Sequence, residues 1–255
     1  MAWSAAQYSA FEQERTRPVR DLVAAIPAQG PVRTAIDLGC GPGNSTEVLA
    51  QRFAGAAVSG LDSSEDMVAA ARQRLPALRF DLADIGTWTA AQPLDVILAN
   101  ASLQWLPDHA TLYPRLVRQL APGGSLAVQT PDNLEEPAHR LAREVAAEGP
   151  WAGHTGTVRH PARHSAPFYY ALLRPHCTRL DVWRTTYFHP LAGGPAAVVD
   201  WFKSTALRPY LERLDAKLQA AFLARYLQAV TSAYPALPDG AVLLPFPRLF
   251  IVATR

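Results

Sequence analysis

The sequence predicts an α/β protein with a parallel sheet that is covered by helices on both faces. Between residues 33 and 131, short apolar runs rich in β-branched and aliphatic residues alternate with segments of helical periodicity. Runs that are apolar on both faces, each followed by a helix, are typical of buried parallel strands. Two further strand-like runs occur at 179–189 and 248–255, and the residues between them have helical patterns. The five earlier runs span residues 33–39, 56–62, 78–84, 94–100 and 125–131.

Composition narrows the class of protein. The chain has 255 residues, of which 49% are hydrophobic and 18% are charged, so it fits one large domain, or one domain with a sizeable insertion, and can bury a substantial core. The formal net charge of +2 comes from scattered basic residues, so no nucleic-acid partner is expected. No apolar run reaches the roughly 20 residues that span a bilayer, and the start lacks a signal-peptide pattern. We therefore expect a cytoplasmic protein without a membrane partner.

Two segments differ from the alternating pattern. Residues 1–30 have apolar positions at helical spacing that Pro18 interrupts, which predicts two short helices. Residues 150–167 are rich in Gly, Pro and His and are predicted to form a loop. The loop histidines do not predict a metal site, because Pro161 prevents a helical pair and no acidic or cysteine ligand accompanies them. These histidines are His154, His160 and His164.

A glycine-rich turn follows the first strand. Asp37 ends that strand, and Asn44 is predicted to cap the next helix together with Glu47. Between them stand Gly39, Gly41 and Gly43. These glycines allow a backbone of positive φ and close approach to a ligand. A dinucleotide-binding loop would place a further glycine where Asn44 stands, which weakens that interpretation.

A second acid supports a nucleoside ligand. Asp62 closes the second strand, where a carboxylate can accept hydrogen bonds from both hydroxyls of a ribose. A tight turn without a ligand is the alternative, which acids at successive strand ends disfavour. A second alternative is that Cys40 is a nucleophile with a lowered thiol pKa, but the sequence supplies no base for it. Cys40 and Cys177 are both predicted to be reduced thiols.

Four motifs in order resemble the motif series of class I S-adenosylmethionine-dependent methyltransferases. They are "DLGCGPG", "GLDSSEDMV", "LADIGTW" and "ANASLQWLPD". Further segments, including "ERTRP", "VQTPDN", "LDVWRTTY", "LRPYL" and "FPRLFIVATR", resemble the family of trans-aconitate methyltransferases along nearly the whole chain, least so in residues 150–167. The resemblance implies a Rossmann-like, doubly wound, seven-stranded and mostly parallel sheet with an antiparallel last strand. It also implies a single methyltransferase domain with N-terminal helices and an α-helical insertion at about 190–245 that forms a substrate cap.

The resemblance implies S-adenosyl-L-methionine as the methyl donor and S-adenosyl-L-homocysteine as the product. The glycine backbone would contact the methionine portion, and Asp37 would orient the loop or meet the amino group. Asp62 would hold the ribose, while residues after the second, third and fourth strands would line the nucleoside and the methionine. The implied cofactor-binding residues are Asp37, Gly39, Gly41, Gly43, Asp62, Ser63, Met67, Asp84, Ile85, Asn100 and Ala101, with Trp88 behind the adenine.

The implied acceptor is a small polycarboxylate, trans-aconitate. A carboxylate is ionised at neutral pH, so its O-methylation requires alignment rather than a general base or a metal. Arginine matches carboxylates in a bidentate way, and Gln104 and Trp105 would lie at the methyl-transfer mouth. The substrate-binding candidates are Arg15, Gln104, Trp105, Arg184, Tyr187, Arg208 and Arg248. Another small acid, a carbon acceptor and a non-catalytic cofactor-binding protein are the open alternatives.

Overall fold

The computed structural model describes residues 12–27, 30–158, 163–203 and 205–255, with side chains from Thr16 onward. These residues form two compact units. The first takes in the described residues up to Pro131, Arg163–Thr185 and Arg248–Arg255, and the second takes in those within Asp132–Ala162 and Thr186–Pro247. The single domain with an insertion at about 190–245 stays a prediction.

The described strands form one seven-stranded sheet. They are β1 (Thr34–Leu38), β2 (Ala57–Asp62), β3 (Arg79–Leu82), β4 (Leu94–Asn100), β5 (Leu120–Pro131), β6 (Arg179–Leu191) and β7 (Val242–Thr254). Their order is β3-β2-β1-β4-β5-β7-β6. Neighbours from β3 to β5 pair in parallel, whereas β5 and β7 pair antiparallel. The predicted α/β class, with a Rossmann-like, mostly parallel seven-stranded sheet and an antiparallel last strand, is confirmed.

Helices flank the strands along the chain. They are α1 (Glu12–Ala24), α2 (Asn44–Arg52), α3 (Glu65–Arg74), α4 (His109–Arg118), α5 (Pro137–Ala147), α6 (Ala152–Thr155), α7 (Ala166–Leu173), α8 (Pro195–Lys203), α9 (Arg208–Leu211) and α10 (Ala216–Ala233). Single 3₁₀ turns occur at Leu103–Trp105 and Arg174–His176. None of these described helices is long and apolar enough to cross a membrane.

Two details of the helical prediction were wrong. The described part of residues 1–30 holds one helix that passes through Pro18, because burial of Val19 and Leu22 offsets the single backbone hydrogen bond that proline removes. Residues 1–11 lie outside the described part. The connection from β3 to β4 has no α-helix; instead a turn forms in which Thr87 and Trp88 donate to the Asp84 carbonyl oxygen.

The predicted loop at 150–167 contains regular structure. It holds α6 and the first residues of α7. Trp151 Nε1 donates to the Val145 carbonyl oxygen, and Thr155 Oγ1 donates to that of Ala146, both at 2.6 Å. Two buried hydrogen bonds therefore order a segment that composition alone assigns to a loop. His160 lies outside the described residues.

Apolar strand residues fill the core of the first unit. Leu38 on β1 and Ile97 on β4 have no solvent exposure, and Tyr113 and Leu116 on α4 complete the same core. β1 lies between β2 and β4, so the direction of strand order changes beside it. In open α/β sheets, ligands bind outside the carboxyl ends of the strands at such a switch point. The strand order therefore predicts a ligand site at the carboxyl ends of β1 and β4.

Helix α10 forms the centre of the second unit. Phe222, Tyr226 and Val230 recur every four residues and have no solvent exposure. The Tyr226 hydroxyl donates to the Ala138 carbonyl oxygen, and the Ala138 amide donates to the Tyr234 hydroxyl, each at 2.9 Å. The hydroxyl groups of two buried tyrosines thus connect the start of α5 to this core.

Replacing Gly60 with alanine is expected to destabilise the protein by about 1 to 3 kcal/mol, the usual cost of overpacking a core. An added Cβ on β2 would lie 2.8 Å from the buried Phe80 ring and 2.9 Å from Cys40 Cβ. Gly153→Ala is the control, because no described heavy atom would lie within 4 Å of its Cβ. Urea denaturation measures both, and equal effects would contradict the packing described.

Candidate active site

The glycine turn after β1 packs directly against the segment after β4. Gly39 has a φ of +74°, and a Cβ added there would lie 2.4 Å from Ser102 Cβ. Ser102 Oγ donates to the Leu38 carbonyl oxygen at 2.6 Å, and the Gly39 amide donates to that of Leu61 at 2.8 Å. The turn is therefore fixed to β2 on one side and to the β4 turn on the other, and it requires glycine at position 39.

Asp62 connects this turn to the next helix. Its Oδ2 accepts a hydrogen bond from the Gly41 amide at 3.0 Å, and its Oδ1 accepts one from the Ser64 amide at 2.9 Å. Each carboxylate oxygen can accept a second hydrogen bond. The position at the end of β2 thus leaves capacity for two ligand hydroxyls, as the sequence interpretation requires.

Asp37 is completely buried behind the turn. Its Oδ2 accepts hydrogen bonds from Ser45 Oγ and Thr46 Oγ1, both at 2.7 Å. Its Oδ1 is enclosed and has no hydrogen-bond partner in the described part of the chain. Burial raises the pKa of Asp37 from 3.8 to about 6. The two hydrogen bonds from the hydroxyl groups lower this pKa in part, and the nearby charge of Asp62 raises it further. One oxygen therefore holds α2, and the other is an unused acceptor.

The predicted helix cap was wrong. Gly43, with a φ of +92°, caps α2, and Asn44 is its first residue. No described side chain caps this terminus, and Glu47 instead forms an ion pair with Arg74 at 2.8 Å. The left-handed conformation that the turn requires falls on Gly43, so glycine takes the cap position.

The predicted nucleoside residues follow β2 and β3 in the first unit. Met67 and Ile85 are buried, Trp88 is half-buried, and Ser63 and Asp84 are exposed. Asp84 Oδ1 accepts a hydrogen bond from the Gly86 amide at 2.7 Å. An added Cβ at Gly39 would lie 3.5 Å from Ile85 Cδ1, so the buried Ile85 lies beside the glycine turn. That the exposed Asp84 and Ser63 bind the cofactor stays a prediction.

A strained turn follows β4. Ala101 has a φ of +53°, which is uncommon for a residue other than glycine. Its amide donates to the Gln129 carbonyl oxygen at 2.8 Å, and its own carbonyl accepts from Gln104 Nε2 at 2.7 Å. Gln104 is buried, whereas Trp105 is 56% exposed. Gln104 Oε1 and Asn100 Oδ1 are both enclosed and have no hydrogen-bond partner among the described residues. Backbone strain of this kind clusters at functional sites.

Sequence reasoning missed a network behind this turn. His109 Nε2 lies 3.0 Å from the Leu103 carbonyl oxygen, and its Nδ1 lies 2.7 Å from the Tyr169 hydroxyl. Because a carbonyl only accepts, Nε2 carries the proton and the tyrosine donates to Nδ1. Burial lowers the pKa of His109, which favours this neutral form. Arg163 Nη1 also donates to the Gln104 carbonyl oxygen at 2.9 Å. No local sequence signal connects His109 with Tyr169 or Gln104 with Arg163, pairs that lie 60 and 59 residues apart.

The predicted substrate residues are distributed over both units. In the first, Arg184 is exposed on β6, and Arg248 is buried on β7, where its Nη1 donates to Gln129 Oε1 at 3.3 Å. In the second, Tyr187 is buried, and Arg208 is exposed with its Nε 2.5 Å from Glu212 Oε1. The Arg15 side chain lies outside the described residues. The roles of these side chains stay predictions.

Neither cysteine has the environment of a nucleophile. Cys40 is 1% exposed, and burial, together with the charges of Asp37 and Asp62, raises its thiol pKa. Burial also raises the pKa of Cys177. The idea of a lowered Cys40 pKa at the helix start was wrong, because burial and nearby carboxylates outweigh the helix dipole. Among the described residues, no three His, Cys, Asp or Glu side chains are grouped to hold a metal ion.

Asp37→Asn is expected to remove a pH dependence of stability. The unfolded carboxyl ionises near pH 3.8 and the folded one near pH 6, so the unfolded state binds fewer protons between these values and wild-type stability falls as pH rises. Between pH 4.5 and 7.5, the wild type should lose about 2 kcal/mol of unfolding free energy relative to the variant. Urea titrations at both pH values measure this difference, and a constant difference would contradict the buried carboxyl.

The native protein should resist thiol reagents. Iodoacetamide at pH 8 is expected to label neither cysteine within minutes and both in 6 M guanidinium chloride, because both thiols are buried and protonated in the folded state. Intact-mass spectrometry counts the labels. Rapid labelling of native Cys40 would restore the nucleophile hypothesis.

This chain is similar in sequence and in fold to known proteins. Residues 35–124 match a family model described as a methyltransferase domain. A trans-aconitate 2-methyltransferase from Methylobacterium radiotolerans is 54% identical over 262 residues, covering 99% of this chain and 98% of the relative. Another from Rhizobium leguminosarum bv. trifolii is 52% identical over 257 residues and covers 100% of both chains.

Solved structures agree on the fold. A putative methyltransferase from Bacillus halodurans has a TM-score of 0.60 at 12% identity, over 93% of this chain and 98% of that one. The plantazolicin methyltransferase BpumL, solved with S-adenosylhomocysteine, has a TM-score of 0.52 at 16% identity, over 98% of this chain and 89% of that one. The sequence identity to these two relatives exceeds 50% along the whole chain. The chain therefore belongs to the trans-aconitate 2-methyltransferase family of S-adenosylmethionine-dependent methyltransferases.

Proposed function

We propose that the protein transfers the methyl group of S-adenosylmethionine to a carboxylate of trans-aconitate, giving the monomethyl ester and S-adenosylhomocysteine. The observation that carries this proposal is the full-length identity of 54% with a relative of that name. The substrate is thus a small polycarboxylate. The cytoplasmic location stays a prediction.

The residues at the switch point fit the methyl donor. Asp37 Oδ1 is a buried acceptor in need of a donor, which an ammonium group supplies. Asp62 ends β2 with spare acceptor capacity for ribose hydroxyls, and an added Cβ at Gly41 would meet no described heavy atom within 4 Å, so the backbone is open to close approach. These features support a ligand that combines an amino acid with a nucleoside and lacks phosphate.

The chain's own task in this reaction is alignment. When bound, the donor would supply an electrophilic methyl group on sulfur. The carboxylate oxygen would form the new O–C bond, and the electron pair of the broken C–S bond would stay on sulfur. No proton moves, so the residues need only orient both reactants and exclude water, a contribution that reaches about 7 to 11 kcal/mol in well-oriented systems. We propose the glycine turn, the Ala101 turn and Gln104 for this positioning.

Recognition of the other carboxylates requires cations and donors. We propose that Arg248 contributes to it from the first unit, since a buried guanidinium is a strong partner for a carboxylate. We further propose that the predicted helical insertion at about 190–245, which holds Arg208, acts as a substrate cap, and that Tyr187 contributes to substrate binding. Arg184 is proposed as an exposed contributor from β6.

Methyl transfer from labelled S-adenosylmethionine to a panel of acids tests the function. We expect trans-aconitate to be methylated with the highest kcat/KM and its product to be a monomethyl ester by mass spectrometry. Saturated and shorter acids, such as tricarballylate, citrate and succinate, form the comparison set. A higher kcat/KM on another acid would reassign the substrate, and cofactor binding without turnover on any acid would leave a binding protein.

Arg184→Ala and Arg208→Ala are each expected to raise the KM for trans-aconitate roughly 10- to 100-fold, the effect of losing a hydrogen bond to a charged group. The KM for the methyl donor should stay unchanged. Arg179→Ala is the matched control, because Arg179 is an exposed arginine on the same strand as Arg184 and pairs with Asp181. An unchanged KM in both variants would remove these two arginines from the anion site.

A further inference from the structure

Gln129 is a buried amide at the carboxyl end of β5. It is 1% exposed and lies opposite Asn100 on β4 and Phe250 on β7. Its backbone carbonyl accepts the Ala101 amide, so it directly supports the strained turn after β4. The sequence interpretation assigns no role to Gln129.

The contact with Arg248 fixes the orientation of this amide. Arg248 Nη1 lies 3.3 Å from Gln129 Oε1. A guanidinium only donates hydrogen bonds, so the oxygen of the amide faces Arg248 and the nitrogen faces away from it. Gln129 Nε2 is enclosed and has no hydrogen-bond partner in the described part of the chain. The two N–H bonds of Gln129 Nε2 are therefore buried without an acceptor among the described residues.

An unpartnered amide does not by itself make a site, as Gln119 illustrates. Its Oε1 accepts a hydrogen bond from the Ala90 amide, and its Nε2 is enclosed without a partner among the described residues. However, Gln119 precedes β5, at the amino ends of the strands, whereas Gln129 lies at the carboxyl ends, where ligands bind in this fold. Gln129 also has a buried cation beside it.

We propose that Gln129 is a substrate-binding residue whose Nε2 donates to a carboxylate oxygen of the anionic acceptor, while its Oε1 holds the Arg248 guanidinium for the same anion. Donor and cation together match an acceptor-only, negatively charged group. The enclosed acceptors nearby, Asn100 Oδ1 and Gln104 Oε1, match a donor instead and so do not compete for a carboxylate. This assignment rests on the proposed function for the identity of the anion.

Gln129→Met and Gln129→Glu test the assignment. Both remove the Nε2 donor at similar length, and the glutamate keeps an acceptor for Arg248. We expect both to raise the KM for trans-aconitate and the inhibition constant of tricarballylate roughly 10- to 100-fold, as loss of a hydrogen bond to a charged group does. The Kd for S-adenosylhomocysteine, measured by calorimetry, should change less than twofold.

Gln119→Met is the matched control and should leave both constants unchanged. Three results would overturn the assignment: a wild-type KM in both Gln129 variants, an effect of Gln129→Met alone, which would place the role in Arg248 positioning, or an equal loss of S-adenosylhomocysteine affinity. If the wild type does not methylate trans-aconitate, the proposed function fails. The Gln129 assignment is then decided by calorimetric binding of tricarballylate to the S-adenosylhomocysteine complex, where retained wild-type affinity in the variants rejects it.

Discussion

The close approach of two backbone turns at the switch point sets the geometry of the site. Gly39 and Ser102 come so near that a Cβ at position 39 would lie 2.4 Å from Ser102 Cβ. Ser102 Oγ seals the contact through the Leu38 carbonyl oxygen. The turn after β1 is thereby locked to the turn after β4, which carries Ala101 and Gln104. Asp62 locks the same turn to β2 through Gly41. The backbone that a ligand would approach at this edge is therefore held in place by these hydrogen bonds.

The buried polar groups around these turns fall into two kinds. Asp37 Oδ1, Asn100 Oδ1 and Gln104 Oε1 are enclosed acceptors that lack partners in the described part of the chain. Gln129 Nε2 is an enclosed donor, and it belongs to a residue that holds a buried arginine. Acceptors suit an ammonium group and donors suit a carboxylate, since buried polar groups require a complementary partner. This division supports one region for the methyl donor and another for the acid.

Local sequence signals predicted the parts of the site that depend on local structure. The strand runs, the glycine turn and the acids at the ends of β1 and β2 follow from periodicity and turn chemistry, and the predicted α/β class was correct for that reason. The seven-stranded sheet with an antiparallel last strand was implied by the family resemblance. The cap of α2 was wrong, because the positive φ at Gly43 depends on how the whole turn packs. His109 and Tyr169 were missed, because their contact joins α4 to α7 across 60 residues. Gln129 was missed too, since one polar residue in a buried strand has no local signature.

Calorimetric binding of S-adenosylhomocysteine to Gly41→Ala and Gly55→Ala tests whether the cofactor lies against the glycine turn. Both glycines have positive φ, +52° and +93°, and at neither would an added Cβ meet a described heavy atom within 4 Å. Both substitutions therefore place an alanine at positive φ without a steric clash, and only Gly41 lies at the switch point. We expect Gly41→Ala to weaken binding roughly tenfold or more, as steric overpacking does, while Gly55→Ala binds like the wild type. Equal affinity of the two variants would contradict a cofactor seated against the glycine turn.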